Sequence, residues 1–247
     1  MQLNGDFNNM SYNTFTPIVT DGLVLCLDAA NTKSYPGSGT TWSDLSGNRN
    51  NGTLTNGPVF SRDGGGSIVF NGTNQNIDCG NTSLGISAGA TQISLETWVY
   101  PTSFTSYRGI ISRVGGTSPF GGWMLNVNSD SGNKFDFSVN VSGTWRTWVT
   151  FGGTFSTPLT IDTWYHLVGI YNGSVIALYL NGVLINQFSA VGTIQYAGSL
   201  SNLLIGQNGG GASYFPGRIA VAKVYNRALS ASEVLQNYNA TKYRYIG

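Results

Sequence analysis

The stretch TWYHLVGIYNGSVIALYLNGVLINQF (163–188) decides the fold. It contains three apolar runs of β type, TWYHLVGIYN (163–172), SVIALYLNG (174–182) and VLINQF (183–188), joined through YNGS and LNGV. Both connections carry Asn-Gly, and these residues tolerate the positive φ that tight hairpins need. The segment therefore predicts consecutive antiparallel strands. Upstream, ISLETWVYPT (93–102) alternates at period two, with Ile93, Leu95, Thr97 and Val99 on one side and Ser94, Glu96, Trp98 and Tyr100 on the other. Both sides are partly apolar, as in a central strand. LVLCLDA, GSIVFNG, NIDCG, RGIISRVG, GWMLNVN, KFDFSVNV, RTWVTFG, SNLLIGQ and GRIAVAKVYN add further strands. About twelve strands at roughly 8–12-residue spacing predict an all-β, two-sheet antiparallel sandwich. One segment departs from this period. In SASEVLQNYNAT (230–241), Ser230 and Glu233 form a capping box and Val234, Leu235 and Tyr238 share a helix face. A short C-terminal helix of about two turns, near 231–238, is expected.

The chain has 247 residues, an ordinary length for one all-β domain. Charged residues make up 9% of it against about 25% in a typical globular chain, so its polar surface must be built from Asn, Ser, Thr and Gly. Residues 1–20 are polar and aperiodic and read as an extended N-terminal arm; residues 21–247 read as one sandwich domain. Net charge is +1 with the charges scattered singly, which argues against nucleic acid or an anionic membrane as partner. No apolar run approaches the ~20 residues that cross a bilayer. The first residues lack the basic start and apolar stretch of a secretory signal. Cys26 and Cys79 lack the spacing partners of a metal site and read as small buried hydrophobes, with a cross-strand pairing left open.

The 163–185 stretch resembles the core signature of laminin-G-like domains in the concanavalin A-like lectin/glucanase superfamily. There a Trp-x-His strand precedes a Tyr-x-Gly turn and a strand ending Leu-Tyr-x-Asn-Gly. The resemblance continues in Trp42-Ser-Asp-Leu-Ser-Gly-Asn, in the hairpin-like IVFNGTNQNIDCG (68–80), in SLETWVYPT, and in FPGRIAVAKVYNRALSASEV (215–234), so it spans roughly residues 21–240. It implies a jelly-roll of two packed antiparallel sheets. Asn/Gly/Ser-rich domains of this type in phage virion proteins are similar, which implies a virion surface or extracellular location, as a capsid decoration or tail/fibre component. Relatives often carry two acids where Ala220 and Val221 stand here. A strong calcium site is not expected, although Asp28, Asp44 and Asp78 are candidates for a weaker one.

Glucanases of this superfamily place two carboxylates about 5 Å apart. Glu96 has Ser94 and Trp98 at the alternate positions and Asp136 sits alone, so no enzymatic activity is expected. His166, the only histidine, reads as a strand residue. Sugar binding would require a stacking aromatic beside amide or guanidinium donors. The candidates are Tyr107 with Arg108, Trp145 with Arg146, and Tyr214 and Phe215 beside Gln207 and Asn208; each could instead touch a neighbouring subunit. In the arm, Leu3, Phe7, Tyr12 and Phe15 exceed the apolar content of a plain linker. The arm is expected to dock the domain onto other virion proteins or like subunits, in a homo-oligomer or larger assembly, and to leave loops free for cell-surface glycans. The alternatives are a free-standing carbohydrate-binding lectin and, behind it, a glycoside hydrolase of the same superfamily; no cofactor is expected.

Overall fold

The computed structural model describes residues 16–81, 84–105, 107–115, 121–129, 132–151, 159–196, 202–209, 211 and 213–246, with 145–151 described by their backbone. Two eight-stranded antiparallel sheets face each other. Sheet I runs β14 (Val183–Ser189), β13 (Val175–Leu180), β12 (Tyr165–Tyr171), β7 (Ile93–Pro101), β18 (Pro216–Tyr225), β5 (Ser67–Asn71) and β4 (Val59–Ser61). β1 (Leu23–Asp28) also pairs with β18, along the half that β5 leaves free. Sheet II runs β11 (Thr144–Phe151), β10 (Lys134–Val141), β9 (Gly121–Asn128), β8 (Arg108–Gly115), β15 (Leu204–Ile205), β6 (Asn76–Asp78), β3 (Gly52–Thr55) and β2 (Thr41–Trp42). A separate hairpin, β16 (Gln207–Asn208) with β17 (Ser213–Tyr214), lies beside β8. The C-terminal helix α1 spans Ala231–Thr241.

The expected strand periods produce this architecture directly. Ile93, Leu95 and Val99 of β7 point into the space between the sheets, where Trp123, Leu125 and Val127 of β9 and Phe135, Phe137 and Val139 of β10 meet them, all fully buried. Each such side chain contributes roughly 1.5–3 kcal/mol on leaving water. Asn181-Gly182 behaves as read, both residues taking positive φ, at 51° and 82°, and β13 turns back into β14; at Asn172-Gly173 the glycine alone does so, at 91°. Cys26 and Cys79 are free and buried, and burial pushes the Cys26 thiol up to about 12.

Two expectations need correction. The 68–80 segment is not a hairpin. β5 pairs with β4 and β18 in sheet I, whereas β6 pairs with β3 and β15 in sheet II. The turn between them carries the chain from one sheet to the other, and it is held by amides: Gln75 donates to the carbonyls of Asn56 and Gly57, and Asn56 donates to that of Asn74. The predicted strand 201–207 is likewise cut short, with β15 ending at Ile205. Gly206 turns at φ 79°, where a Cβ would lie 2.6 Å from the Phe70 ring.

Helix α1 is three turns long rather than two, because polar residues extend its packed face. Ser230 and Glu233 form the expected capping box, and Arg227 clamps Glu233 through two nitrogens at 3.0 and 2.7 Å. The helix seals the outer face of sheet I. Trp98 stacks on Tyr245 at 4.3 Å and Tyr238 at 5.9 Å, and its indole N–H donates to Thr241 at 2.9 Å. Beneath the helix, Glu96 receives Lys223 Nζ at 2.8 Å and Asn237 Nδ2 at 2.6 Å, with His166 Nε2 at 3.2 Å.

Of the arm, residues 1–15 lie outside the described residues, and Leu3, Phe7, Tyr12 and Phe15 with them. The described end is built into the domain. The Pro17 carbonyl accepts from Gln236, the Val19 N–H donates to Asn237 Oδ1 at 2.7 Å, and Val19 is buried beside Val168, Tyr225 and Val234.

Candidate functional site

Alternation along the strands of sheet II sends apolar side chains into the core and polar ones to the opposite face. Register gives the rows on that outer face. Ser112, Met124 and Ser138 form one row, and Gly109, Asn126 and Asp136 form the next. Through Leu204 the first row continues to Asp78 and Thr53. Such a row of Asn, Ser, Asp and Thr is ordinary for a solvated sheet face, yet Ser112, Asn126, Asn128, Asp136, Ser138 and Asn140 are all at most 2% exposed. Asn128 is accounted for, donating to Asp136 Oδ2 at 2.8 Å. Asn126 is different. Both its amide oxygen and its amide nitrogen are buried without a hydrogen-bond partner among the described residues. An unsatisfied buried polar group costs about 1–3 kcal/mol, so this amide is a polar spot that the described residues leave unanswered beneath the face.

The same face opens into a cavity of about 420 Å³ lined by Asn51, Thr53, Thr55, Asp78 and Asn202. The Asp78 carboxylate is fixed by Asn202 Nδ2 at 3.0 and 2.9 Å and by the Gly80 N–H at 2.7 Å. Hydroxyls, amides and one oriented carboxylate therefore line the recess. Hairpin β16–β17 packs beside β8. Ser112 Oγ donates to the Gln207 carbonyl at 2.7 Å and accepts from the Gly209 N–H at 3.0 Å, and Asn76 donates to the Gln207 side-chain oxygen. The approach depends on Gly109, where a Cβ would stand 2.3 Å from the Asn208 nitrogen. Gly109→Val is expected to displace the hairpin while the core stays folded. The check is loss of hydrogen-exchange protection at Gly209 and Phe215 with protection of Leu125 retained.

The sequence-derived candidates divide into separate places. Arg108, Gln207, Asn208 and Tyr214 come together where β8 meets the hairpin, with Tyr107 preceding Arg108 in a positive-φ turn at 54°. Arg108 Nε donates to Thr105 Oγ1 at 3.1 Å. Trp145 and Arg146 lie toward the other end of the sheet. Arg146 pairs with Val139, Val139 with Trp123, and Trp123 with Arg113, five residues along β8 from Arg108 and so roughly 17 Å away. Phe215 is a correction: fully buried in the inter-sheet core, it presents no surface to a ligand, because its loop is pinned by a hydrogen bond to the Gly206 carbonyl. Sequence reasoning missed Asn126, Asn202 and Thr53, and read Asp78 only as a calcium candidate. The available signal was Asn at alternate positions of GWMLNVN, which marks a polar strand face but not its burial.

The three calcium candidates already have donors. Asp28 accepts from the Ala30 N–H and from Arg244 at 2.8 Å; Asp44 accepts from the N–H groups of Cys26, Ser46 and Asn50 and from the Ser46 hydroxyl. Asp78 is held by Asn202 and Gly80. These carboxylates brace loops, and their oxygens are engaged by N–H and O–H groups and by the Arg244 guanidinium, so the residues do not fit a calcium ion.

Two antiparallel sheets packed as a jelly-roll, one of them carrying a recessed polar outer face, define the class as a lectin-like sandwich. The family model described as the concanavalin A-like lectin/glucanases superfamily matches residues 71–235, and the chain belongs to that superfamily. No curated protein matches. Among solved structures, domain 4 of AbnA, an extracellular arabinanase from Geobacillus stearothermophilus, in complex with arabinotriose, aligns with a TM-score of 0.63 at 20% identity over 87% of this chain and 98% of that one. The binding domain of Paraclostridial Mosquitocidal Protein 1 aligns at 0.67 and 17% identity, over 90% of this chain and 52% of that one. The botulinum neurotoxin serotype G binding domain aligns at 0.64 and 16%, over 87% and 50%. The chain thus spans about half the length of the two toxin binding domains, and at these identities the likeness is one of fold.

Proposed function

We propose that this domain is a non-enzymatic binding module that takes a glycan on the outer face of sheet II. The reading rests on the open recess of that face, where the Asp78 carboxylate is fixed by Asn202 and Gly80 beside the exposed Thr53. Sugar hydroxyls both donate and accept, so they suit a carboxylate, amides and hydroxyls together. The AbnA domain, which shares the fold and is matched over nearly its whole length, holds arabinotriose. Glu96, on the central strand β7, is sealed beneath α1 and faces Lys223, His166 and Asn237, so no substrate reaches it.

Thr53→Val, which removes one exposed hydroxyl of the recess, is expected to weaken binding of the best ligand on a glycan array that includes arabinotriose by about fivefold, since a hydrogen bond contributes roughly 1 kcal/mol. Its melting temperature should be unchanged, because Val keeps the β-branched shape that a strand favours. Unchanged binding across the array would end this reading.

The finer role follows the arm. Pro17 and Val19 tie the N-terminus to α1 on the outer face of sheet I, opposite the polar face of sheet II. This arrangement supports a virion surface component, a capsid decoration or tail/fibre subunit, anchored by residues 1–15 with its glycan face outward. Truncation of residues 1–15, which spares Val19, should abolish particle incorporation and leave glycan binding intact. Normal incorporation of the truncated protein would favour a free-standing lectin.

A further inference from the structure

A second recess lies far from the sheet II face in its chemistry and its elements. The loop after β1 and the β4 segment enclose a cavity of about 560 Å³, within the roughly 300–1,000 Å³ of small-molecule sites. Its walls are preformed. On one side the Ala29–Ser38 loop is locked by Asn31, whose carbonyl accepts from the N–H groups of Ser34 and Tyr35 at 2.8 and 2.9 Å, and by the Tyr35 hydroxyl, which donates to the Gly39 carbonyl at 2.8 Å. On the other side stand Phe60 and Arg62, the Phe60 ring 5.6 Å from that of Tyr35. The walls meet at Gly66, at φ 140°, where a Cβ would sit 2.7 Å from the Ala29 carbonyl oxygen. Only a bare backbone allows that approach.

The charges around this cavity do not cancel. Asp28 is paired with Arg244 at 2.8 Å and Asp63 with Arg218, so each neighbouring carboxylate already has its own arginine. Arg62 lines the cavity, is exposed, and has no acceptor among the described residues. Lys33, on the same loop as Thr32, adds a further positive charge. In a chain whose net charge is only +1, this corner holds four basic and two acidic side chains. An arginine fork matches a planar carboxylate through two parallel hydrogen bonds, and the Phe60 ring and Pro36 offer an apolar wall to a C–H face.

We propose that this cavity binds a sugar acid of the uronic type, its carboxylate on Arg62 and its ring against Phe60, with Thr32 and Ser38 in reach of its hydroxyls. The site is independent of the sheet II face. The test is a titration of the full chain with glucuronic acid, with glucose as the neutral comparator, followed by amide chemical shifts and calorimetry. Saturable shifts at Gly37, Ser38 and Arg62 are expected, with glucose at least about tenfold weaker. Arg62→Gln, an exposed change that breaks no bond within the described residues, should cost about tenfold or more in glucuronic acid affinity at an unchanged melting temperature. Thr53→Val on the sheet II face should leave that affinity alone. Equal binding of glucose and glucuronic acid, indifference to Arg62→Gln, or shifts confined to sheet II would overturn the assignment.

Discussion

Lys223→Met is expected to destabilise the domain by about 3–5 kcal/mol, the usual result of removing one partner from a buried ion pair. Lys223 Nζ lies 2.8 Å from Glu96 Oε1, and the two side chains are 3% and 0% exposed. Without the ammonium, the carboxylate stays under α1 with hydrogen-bond support from Asn237, the Tyr225 hydroxyl and the His166 ring. Either it takes up a proton or the helix lifts to admit water, and both outcomes draw on the net stability of the fold. For a chain of this size the loss corresponds to a fall of roughly 6–20 °C in melting temperature. The double replacement Lys223→Met with Glu96→Leu should recover much of it, since an apolar pair leaves no buried charge. A single variant that melts within about 2 °C of the parent, measured by calorimetry, would show that the cluster is not closed to solvent.

Acid should act on the same cluster. Burial by itself would push the Glu96 carboxyl up, but the Lys223 ammonium and the His166 hydrogen bond outweigh it and hold the group at about 2, below its ordinary 4.5. A carboxyl depressed in the folded state stabilises fully above its unfolded value, and this contribution is lost as pH falls from about 5 towards 2. The shift is equivalent to about 3 kcal/mol, to be read from urea midpoints between pH 6 and pH 2.5. Glu96 is faced by Lys223, His166 and Tyr225, and burial keeps the Tyr225 hydroxyl protonated, so that group adds no slope in this range. Glu96→Gln should flatten the acid limb by most of that amount. Glu233, also held near 2 through its hydrogen bonds from Arg227, sits on the surface, and Glu233→Gln should flatten it far less. An unchanged slope in Glu96→Gln would place the acid sensitivity elsewhere.

Much of the fold was legible because its signals are local. Period-two alternation in ISLETWVYPT separates Ile93, Leu95 and Val99 from Glu96 and Trp98 whatever those residues later meet, and the structure keeps that division. Asn181-Gly182 requires positive φ, and the capping box at Ser230 and Glu233 closes within four residues. The site was less legible. Arg108, Gln207 and Tyr214 were found as polar and aromatic groups near predicted strand ends, but their neighbourhood depends on a contact between Gly109 and Asn208, about a hundred residues apart.

By itself the sequence determined strand period, turn chemistry, the capped helix and the two-sheet class, since each depends on residues within one or two turns of the chain. Only the tertiary structure decided that β5 and β6 belong to different sheets, that Phe215 is core, and that Asn126 is buried with its amide unanswered among the described residues. It also decided that the lone Glu96 is answered by Lys223 and Asn237, which lie 127 and 141 residues further along the chain. The physical reason is that burial and charge pairing belong to surfaces brought together from distant segments. A strand's alternation says which residues share a face, while what covers that face is set by the packing of elements far away in the chain.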